Sequence, residues 1–239
     1  MEIRHPLVLG IHWAHDASAA ICSSGGVHCV IQEERLNRIK HYYGFPCNAI
    51  EKVMEVCGVT PSDIDGIAFS TKSVFYPEHN NYSIVDEYGC CTDGKPCVDK
   101  NDLKALRFKT QMKVRQDWGV FASRHYVMML EYLFDSGFLN DRIKHYYIAH
   151  HRAHASSVFR SAGLDNACII TADGKGDGLG ATVYRGSENG ELQLVRTTKT
   201  PDSIGLFYQA VTEALGFVPV DSEYKTMGLA AYNSIFKFF

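Results

Sequence analysis

The chain has 239 residues, of which 46% are hydrophobic, and a formal net charge of −3. This length can bury one sizeable core or two modest ones, and the acidic balance argues against nucleic-acid binding, which needs a basic patch. The apolar run at residues 6–9 is too short for a signal peptide, and no stretch reaches the roughly eighteen apolar residues of a membrane span. We therefore predict a cytoplasmic protein with a small-molecule partner.

The N-terminal part of the chain predicts short strands and one helix. Gly25 and Gly26 favour a tight hairpin between two of the strands, since glycine accepts positive φ without steric cost. Apolar residues at helical spacing predict a helix from about residue 46 that ends at Gly58. The predicted strands span residues 6–12, 17–23, 27–34 and 64–70, which gives the order β-β-β-α-β.

The middle of the chain is less regular. Residues 72–104 are rich in Asn, Asp, Gly, Lys and Tyr without a lasting period, and we predict an inserted excursion or lid there. Apolar residues between Trp118 and Leu133 predict a helix that Gly137 ends. A short strand over residues 144–148 then leads directly into a helix over residues 150–162.

The last part of the chain predicts a buried strand, a hairpin and another helix. The buried strand spans residues 166–171, and the strands of the hairpin span residues 178–184 and 191–197. Ser203 is a suitable N-cap for a helix from Ile204 to Leu215.

A turn rich in small residues follows the first strand, within the segment from Gly10 to Ala20. Small side chains, such as that of Ser18, let backbone N–H groups approach phosphate oxygens, and Asp16 can hold a cation or a bound water beside them. The alternative is an ordinary hairpin in which Asp16 caps the turn.

A charged segment with the sequence QEERLNRIKH spans residues 32–41. Acids and bases at this density usually form a solvated helix face with weak pairing between residues four apart. The functional alternative is that Lys40 and an arginine reach an anionic substrate.

The histidines at the start of the predicted helix 150–162 indicate a metal site. His150 and His154 are four residues apart, so both imidazoles lie on one helix face and can share a metal. Asp173, at the end of the next strand, supplies a carboxylate, and this ligand set suits Fe(II), Mn or Zn without choosing among them. The alternatives are satisfied core histidines and, for Asp173, an ordinary glycine-rich hairpin entry.

Gly205 lies early in the helix that begins after Ser203. A glycine at this position allows the helix N-terminus to face an anion. By itself this segment indicates no particular ligand.

Five segments in this order resemble the O-carbamoyltransferases of antibiotic biosynthesis and nodulation-factor modification. The matching pieces are GIHWAHDASAA, QEERLNRIKHYYGFP, AHHRAHASS, TADGKGDG and SIGLFYQAVTEALGF with EYKTMGLAAY. Each piece alone is unspecific, but the set spans nearly the whole chain, so the match in order is specific.

The resemblance implies an α/β, ribonuclease-H-like fold of the actin, sugar-kinase and chaperone-ATPase superfamily, with a mixed sheet flanked by helices. We expect a first subdomain over residues 1–165, with the excursion at about 72–104, and an incomplete second subdomain over residues 166–239. The hairpin-bearing stretches near 10–34 and 166–197 would then open two related subdomains.

The resemblance also implies a reaction. Carbamoyl phosphate and ATP would form a carbamoyl-adenylate in a separate C-terminal lobe. The part of the enzyme that this chain represents would pass the carbamoyl group to a hydroxyl of a small natural product or glycan. By position, His150, His154 and Asp173 are expected to bind the family's divalent metal, with Fe(II) favoured and Mn or Zn as alternatives.

Other matched positions imply roles in carbamoyl transfer. His15 and Lys40 are expected near the reacting carbamoyl and acceptor groups, where His15 would take the proton of the hydroxyl and Lys40 would stabilise anionic oxygens. The residues expected to line the nucleotide or carbamoyl site are Asp16, Ser18, Asp173, Ser203 and Gly205.

The sequence departs from the family at its end, where residues 233–239 read NSIFKFF, and family members are considerably longer. We therefore expect that the adenylate-forming lobe is missing and that this chain alone is not fully active. Two alternatives are an inactive remnant that keeps metal or nucleotide binding and a threonylcarbamoyl-tRNA type of transferase. The acidic balance and the segments EERLNRIKH and EYKTMGLA disfavour the tRNA branch.

Overall fold

The fold is known from a computed structural model, which describes residues 6–70, 82–85, 91–93, 132–133, 135–138, 142–220 and 222–232. The chain divides into two compact units. Unit 1 comprises Met1–Asp86 and Cys90–Ala149, and unit 2 comprises Glu87–Gly89 and His150–Phe239. The boundary at residue 149 precedes the predicted one at residue 165, because the helix that starts at His150 belongs to unit 2. The division into two related subdomains remains a prediction.

Among the described residues, unit 1 contains nine strands, two complete α-helices and the helical end residues Tyr132, Leu133 and Asp135 of a further helix. The strands are β1 Val8–His12, β2 Ala14–His15, β3 Ser18–Ser23, β4 Gly26–Gln32, β5 Tyr43–Gly44, β6 Gly66–Phe69, β7 Tyr82–Val85, β8 Cys91–Asp93 and β9 Lys144–Ile148. The helices are α1 Glu34–Asn37 and α2 Cys47–Cys57.

The main sheet of unit 1 has seven strands in the order β4-β3-β1-β6-β9-β7-β8. β3 is antiparallel to both β1 and β4, whereas β6 is parallel to β1 and to β9. The strands β1, β3 and β4 form an antiparallel meander, and the parallel strands β6 and β9 lie on the other side of β1. This is the arrangement of the ribonuclease-H-like fold. The predicted fold class is confirmed.

The core of unit 1 lies between this sheet and α2. Alternate residues of β1, Leu9 and Ile11, are buried, as the period of two of a strand predicts. α2 buries Ile50 and Val53, which are separated by one helical turn, and its C-terminus is closed by Gly58 with a φ of 66°. Burial of side chains of this size contributes about 1.5–3 kcal/mol each. Ile50→Ala would therefore break the contact at a cost of about 2–5 kcal/mol.

The stretch 72–104, predicted as an irregular excursion, contains the two short strands β7 and β8. β7 pairs in parallel with β9, and β8 pairs antiparallel with β7, so they extend the sheet beyond β9. Residues 118–131 of the predicted helix lie outside the described residues. Its end is confirmed, because Gly137 has a φ of 75° and the N–H of Phe138 donates to the carbonyl of Leu133.

Unit 2 contains an antiparallel sheet of three strands in the order β10-β11-β12. The strands are β10 Ala167–Gly176, β11 Leu179–Gly186 and β12 Leu192–Lys199, and the helices are α3 His150–Ala162, α4 Ile204–Ala214 and α5 Glu223–Ala230. The predicted elements are confirmed in kind, but β10 continues beyond residue 171 to Gly176. None of the helices in the described ranges combines the length and apolar content of a transmembrane helix.

Helix α3 covers the sheet of unit 2 with one face. His151, Ala155 and Phe159 are buried at intervals of four residues, and Phe159 packs with Tyr184 of β11. Because His150 and His154 flank this buried stripe, the helix leaves both imidazoles at the edge of its packed face.

Candidate functional sites

His150, His154 and Asp173 meet in unit 2, and we call them the α3 trio. His150 Nε2 lies 2.5 Å from Asp173 Oδ2 and 3.1 Å from His154 Nε2. His154 Nε2 lies 3.6 Å from the same carboxylate oxygen, which is too long for a hydrogen bond. The three ligand atoms all lie within 4.8 Å of one another. Two imidazoles and a carboxylate that converge in this way fit a divalent transition metal.

His150 is fixed from two sides. Its backbone N–H, at the first position of α3, donates to Asp177 Oδ2 at 2.7 Å. Its imidazole lies directly over Gly176, where an added Cβ would meet the ring Cγ at 2.6 Å. Asp177 thus caps the start of α3, and Gly176 allows the strand to pass beside the ring.

Asp173 lies in an irregular part of β10. The register of β10 with β11 shifts between Ala172 and Gly176, so the strand has a bulge in the stretch that contains Asp173. The backbone N–H of Gly174 donates to Asp173 Oδ1 at 2.6 Å, and the hydroxyl of Ser203 donates to the Asp173 carbonyl. The carboxylate is therefore held in one orientation from its own strand and from the start of α4.

The electrostatics of the α3 trio favour an ionised carboxylate. The hydrogen bond from His150 lowers the pKa of Asp173 well below its usual range, and the nearby imidazole of His154 lowers it further, against the opposing effect of burial. His151 is separate from the trio, because its Nδ1 is paired with Thr171 Oγ1 at 2.7 Å in the core. Burial lowers the pKa of His151, which favours a neutral ring.

Ser203 and Gly205 connect α4 to Asp173. Ser203 is buried, and its Oγ accepts hydrogen bonds from the N–H groups of Gly205 and Leu206, so the predicted N-cap is confirmed. Gly205 packs against the chain at Asp173, where an added Cβ would meet Gly174 N at 2.5 Å. The expected role of Ser203 and Gly205 in lining a cofactor remains a prediction.

A second group of residues, which we call the His15 cluster, forms in unit 1. His15 Nδ1 lies 2.6 Å from Asp16 Oδ2, and His41 Nδ1 lies 3.2 Å from Asp16 Oδ1. The two imidazole rings are stacked, with centroids 5.5 Å apart and an interplanar angle of 18°. Burial alone would raise the pKa of Asp16, but the hydrogen bonds and charges of His41 and His15 outweigh it and lower the pKa.

The other predicted residues of unit 1 lie near this cluster in the chain. Ser18 begins β3, where it pairs with His12 of β1 and Gln32 of β4. Lys40 is exposed in the segment between α1 and β5, so its ammonium group is accessible to an anionic substrate. The roles of both residues remain predictions.

Sequence reasoning missed two residues of the charged segment. His41 lies within the charged segment, where no role is predicted for it; it contacts Asp16 across 25 positions of the chain and stacks on His15. Glu33 was read as part of a solvated face, whereas it is 2% exposed. Its carboxylate accepts from Ala49 N at 2.7 Å and from Asn48 Nδ2 at 2.5 Å, which caps the start of α2. No local signal marks this role, because the helix that Glu33 caps begins fourteen residues later, at Cys47.

Comparison with known proteins places this chain in a family. Residues 7–237 match the family described as Carbamoyltransferase N-terminus. The chain is 30% identical over 219 residues to the nodulation protein NolNO of Sinorhizobium fredii, covering 92% of this chain and 28% of NolNO. It is 28% identical over 227 residues to the uncharacterized protein sll1178 of Synechocystis, covering 95% of this chain and 34% of that protein.

The chain therefore belongs to the carbamoyltransferase N-terminus family, as the resemblance of its five segments predicted. It spans about a third of the length of these two relatives. Among solved structures, YeaZ from Pseudomonas aeruginosa is similar with 11% identity and a TM-score of 0.36, covering 80% of this chain and 65% of that chain. A superposition this loose carries no argument about function.

Proposed function

We propose that this chain is the part of an O-carbamoyltransferase that delivers a carbamoyl group to a hydroxyl of a small natural product or glycan. The carbamoyl group would come from a carbamoyl-adenylate made from carbamoyl phosphate and ATP by a further part of the enzyme. The observation that carries the proposal is the family match over residues 7–237.

The α3 trio would hold a divalent metal, and the family resemblance favours Fe(II), with Mn or Zn as alternatives. Such an ion would supply positive charge for anionic oxygens of the substrate. The chain itself keeps Asp173 ionised, orients its carboxylate through Gly174 N–H, and places His150 beside it through the Asp177 cap. These contacts resemble the outer contacts that orient ligands in metalloproteins.

The His15 cluster would act on the acceptor. Attack of a neutral hydroxyl on a carbamoyl carbon releases a proton and builds negative charge on the carbonyl oxygen. The proton would leave toward the His15 cluster, and the exposed ammonium of Lys40 would stabilise the developing anion.

Transfer can be measured with carbon-13 carbamoyl phosphate, ATP and a panel of hydroxyl-bearing glycans, with products followed by mass spectrometry. The chain would be assayed alone and mixed with the C-terminal remainder of the Synechocystis relative. We expect a labelled carbamoyl ester only in the mixture, and His15→Ala should lower its rate about 100-fold. His28→Ala, which changes a histidine that bonds Ser23 on the neighbouring strand, is the matched control.

Two outcomes would contradict the proposal. Nucleotide binding without any ester in the mixture would favour an inactive remnant. Carbamoylation of tRNA-bound threonine in preference to the glycans would favour the threonylcarbamoyl branch. The metal assignment has its own test: His154→Ala should remove bound metal, whereas Val158→Ala, one turn further along α3 and exposed, should retain it.

A further inference from the structure

The His15 cluster has the composition of a metal site that is separate from the α3 trio. It combines two imidazoles and one carboxylate, whose ligand atoms all lie within 4.8 Å of one another. All three side chains are partly accessible, with 40%, 41% and 38% of the His15, Asp16 and His41 side chains exposed. An ion bound there would therefore reach solvent or a substrate oxygen, as in sites that keep an open coordination position.

The backbone holds the cluster together from two segments of unit 1. A short ladder pairs Ala14 with Gly44 and His15 with Tyr43. The N–H of Ala17 also donates to the carbonyl of Tyr42 at 3.3 Å. These contacts hold the turn that carries Asp16 against the residues that directly follow His41.

Two further contacts orient the histidine-bearing segments. The backbone N–H of His41 donates a hydrogen bond to Glu34 Oε2 at 2.8 Å. The ring of His12 contacts Ser70 Oγ through Nδ1 at 2.6 Å and the His15 carbonyl through Nε2 at 2.9 Å. The turn and the His41 segment thus each have their own support outside the cluster.

Asp16 and His41 both have left-handed backbone conformations, with φ values of 60° and 54°. Non-glycine residues seldom adopt this region, and it persists only where surrounding contacts enforce it. Here it occurs at the two residues that bring side chains from separate segments to one point.

The ring nitrogens also favour a shared ion. His15 and His41 approach opposite oxygens of one carboxylate through the same atom, Nδ1, with their rings nearly parallel. A divalent ion bound between these groups would take the place of the two imidazole–carboxylate contacts, and each of the three side chains would then bond to the ion. Two imidazoles with a carboxylate suit Zn, Mn or Fe(II).

We propose that His15, Asp16 and His41 form a second divalent-metal site with an open position for an anionic oxygen, such as one of a phosphate. This inference goes beyond the proposed carbamoyl transfer and does not depend on it.

Metal stoichiometry tests the proposal. The chain would be stripped with a chelator, dialysed against Zn²⁺ or Co²⁺, and analysed by mass spectrometry of the metals and by the visible absorption of bound Co²⁺. We expect two ions per chain, one for each group of ligands. His41→Asn should lose one of them, and His154→Ala should lose the other. Asparagine at position 41 keeps a side chain that tolerates positive φ.

The controls separate loss of a ligand from loss of the fold. His28→Asn should keep both ions, because His28 belongs to neither group. If His41→Asn lowers the melting temperature, Asp16→Asn replaces it, since asparagine also accepts the φ of 60° at that turn. The proposal is overturned if both of these variants still bind as much metal as the unchanged chain. It is equally overturned if the unchanged chain binds one ion that only His154→Ala removes.

The two proposals fail separately. Unchanged stoichiometry in His41→Asn, with carbamoyl transfer intact, removes the second site and leaves the proposed function in place. Loss of an ion in His41→Asn, without any transfer activity, leaves the second site and removes the proposed function.

Discussion

The imidazole of His150 lies against the α-carbon of Gly176, so closely that no larger residue fits between the ring and strand β10. An added Cβ would meet the ring Cγ at 2.6 Å and Nε2 at 3.0 Å. Nε2 is the atom that faces Asp173. The position of a ligand atom in the α3 trio therefore depends on the absence of a side chain at Gly176, three residues after Asp173.

Gly176→Ala should displace His150 and weaken metal binding at the α3 trio at least tenfold. Because the added methyl group overpacks against the His150 ring, the free energy of unfolding should also fall by about 1–3 kcal/mol. Metal titration and chemical denaturation measure the two effects. Gly228→Ala is the matched control, since its Cβ meets nothing within 4 Å and alanine favours the helix. Equal metal affinity in both variants would show that the ring position is unimportant.

Ser203→Ala should lower the free energy of unfolding by about 1–2 kcal/mol, because it removes the N-cap of α4. It also removes the bond to the Asp173 carbonyl, so metal affinity at the α3 trio should fall in parallel. Denaturation with and without bound metal measures both losses. Ser187→Ala, which changes a half-buried turn serine whose side-chain hydrogen bond is exposed to solvent, should leave both values within about 0.5 kcal/mol. A loss of stability with unchanged metal affinity would mean that the cap does not support Asp173.

Glu33→Ala should destabilise unit 1 by about 1–3 kcal/mol, since it leaves Ala49 N–H and the Asn48 amide without their buried acceptor. Urea denaturation followed by circular dichroism provides the measurement. Glu55→Ala, at an exposed position of the same helix, should change stability by less than about 0.5 kcal/mol. Similar losses of stability in the two variants would support the sequence-based prediction that residues 32–41 form a solvated face.

Cys47 should react slowly with alkylating agents. Burial, together with the charge of Glu33, raises the pKa of the Cys47 thiol to about 11, and the thiolate is the reactive form. At pH 8 we expect its alkylation to be at least tenfold slower than that of Cys168, which is exposed, and to accelerate as the pH approaches the raised pKa. Peptide mass spectrometry at several pH values gives both rates. Equal rates at pH 8 would contradict the half-buried position of Cys47 at the start of α2.

The sequence predicted most elements because their signals are local. The apolar spacing of α2, Gly58 as its end, and Ser203 as the cap of α4 are each determined within a few residues. The approach of His150, His154 and Asp173 could also be anticipated, because a helix turn and the next strand limit where these side chains can lie. Their role as metal ligands remains a prediction.

Other features depend on tertiary pairing and gave no periodic signal. β7 and β8 are short strands at the end of the sheet, and their pairing with β9 and with each other is not encoded by alternation of apolar residues. The contact of His41 with Asp16 requires positive φ at both residues, and neither is a glycine that would mark such a turn. The bulge at Asp173 likewise emerges only from the register of β10 against β11.

The contact of Gly205 with the backbone at Asp173 and Gly174 joins a helix to a carboxylate without a side chain between them. Asp173 cannot tilt unless the first turn of α4 moves with it, because the Ser203 hydroxyl holds the same carbonyl. A molecule that binds α4 and shifts it along its axis would therefore change the cation affinity of the α3 trio, without contacting any of the three metal-ligand side chains.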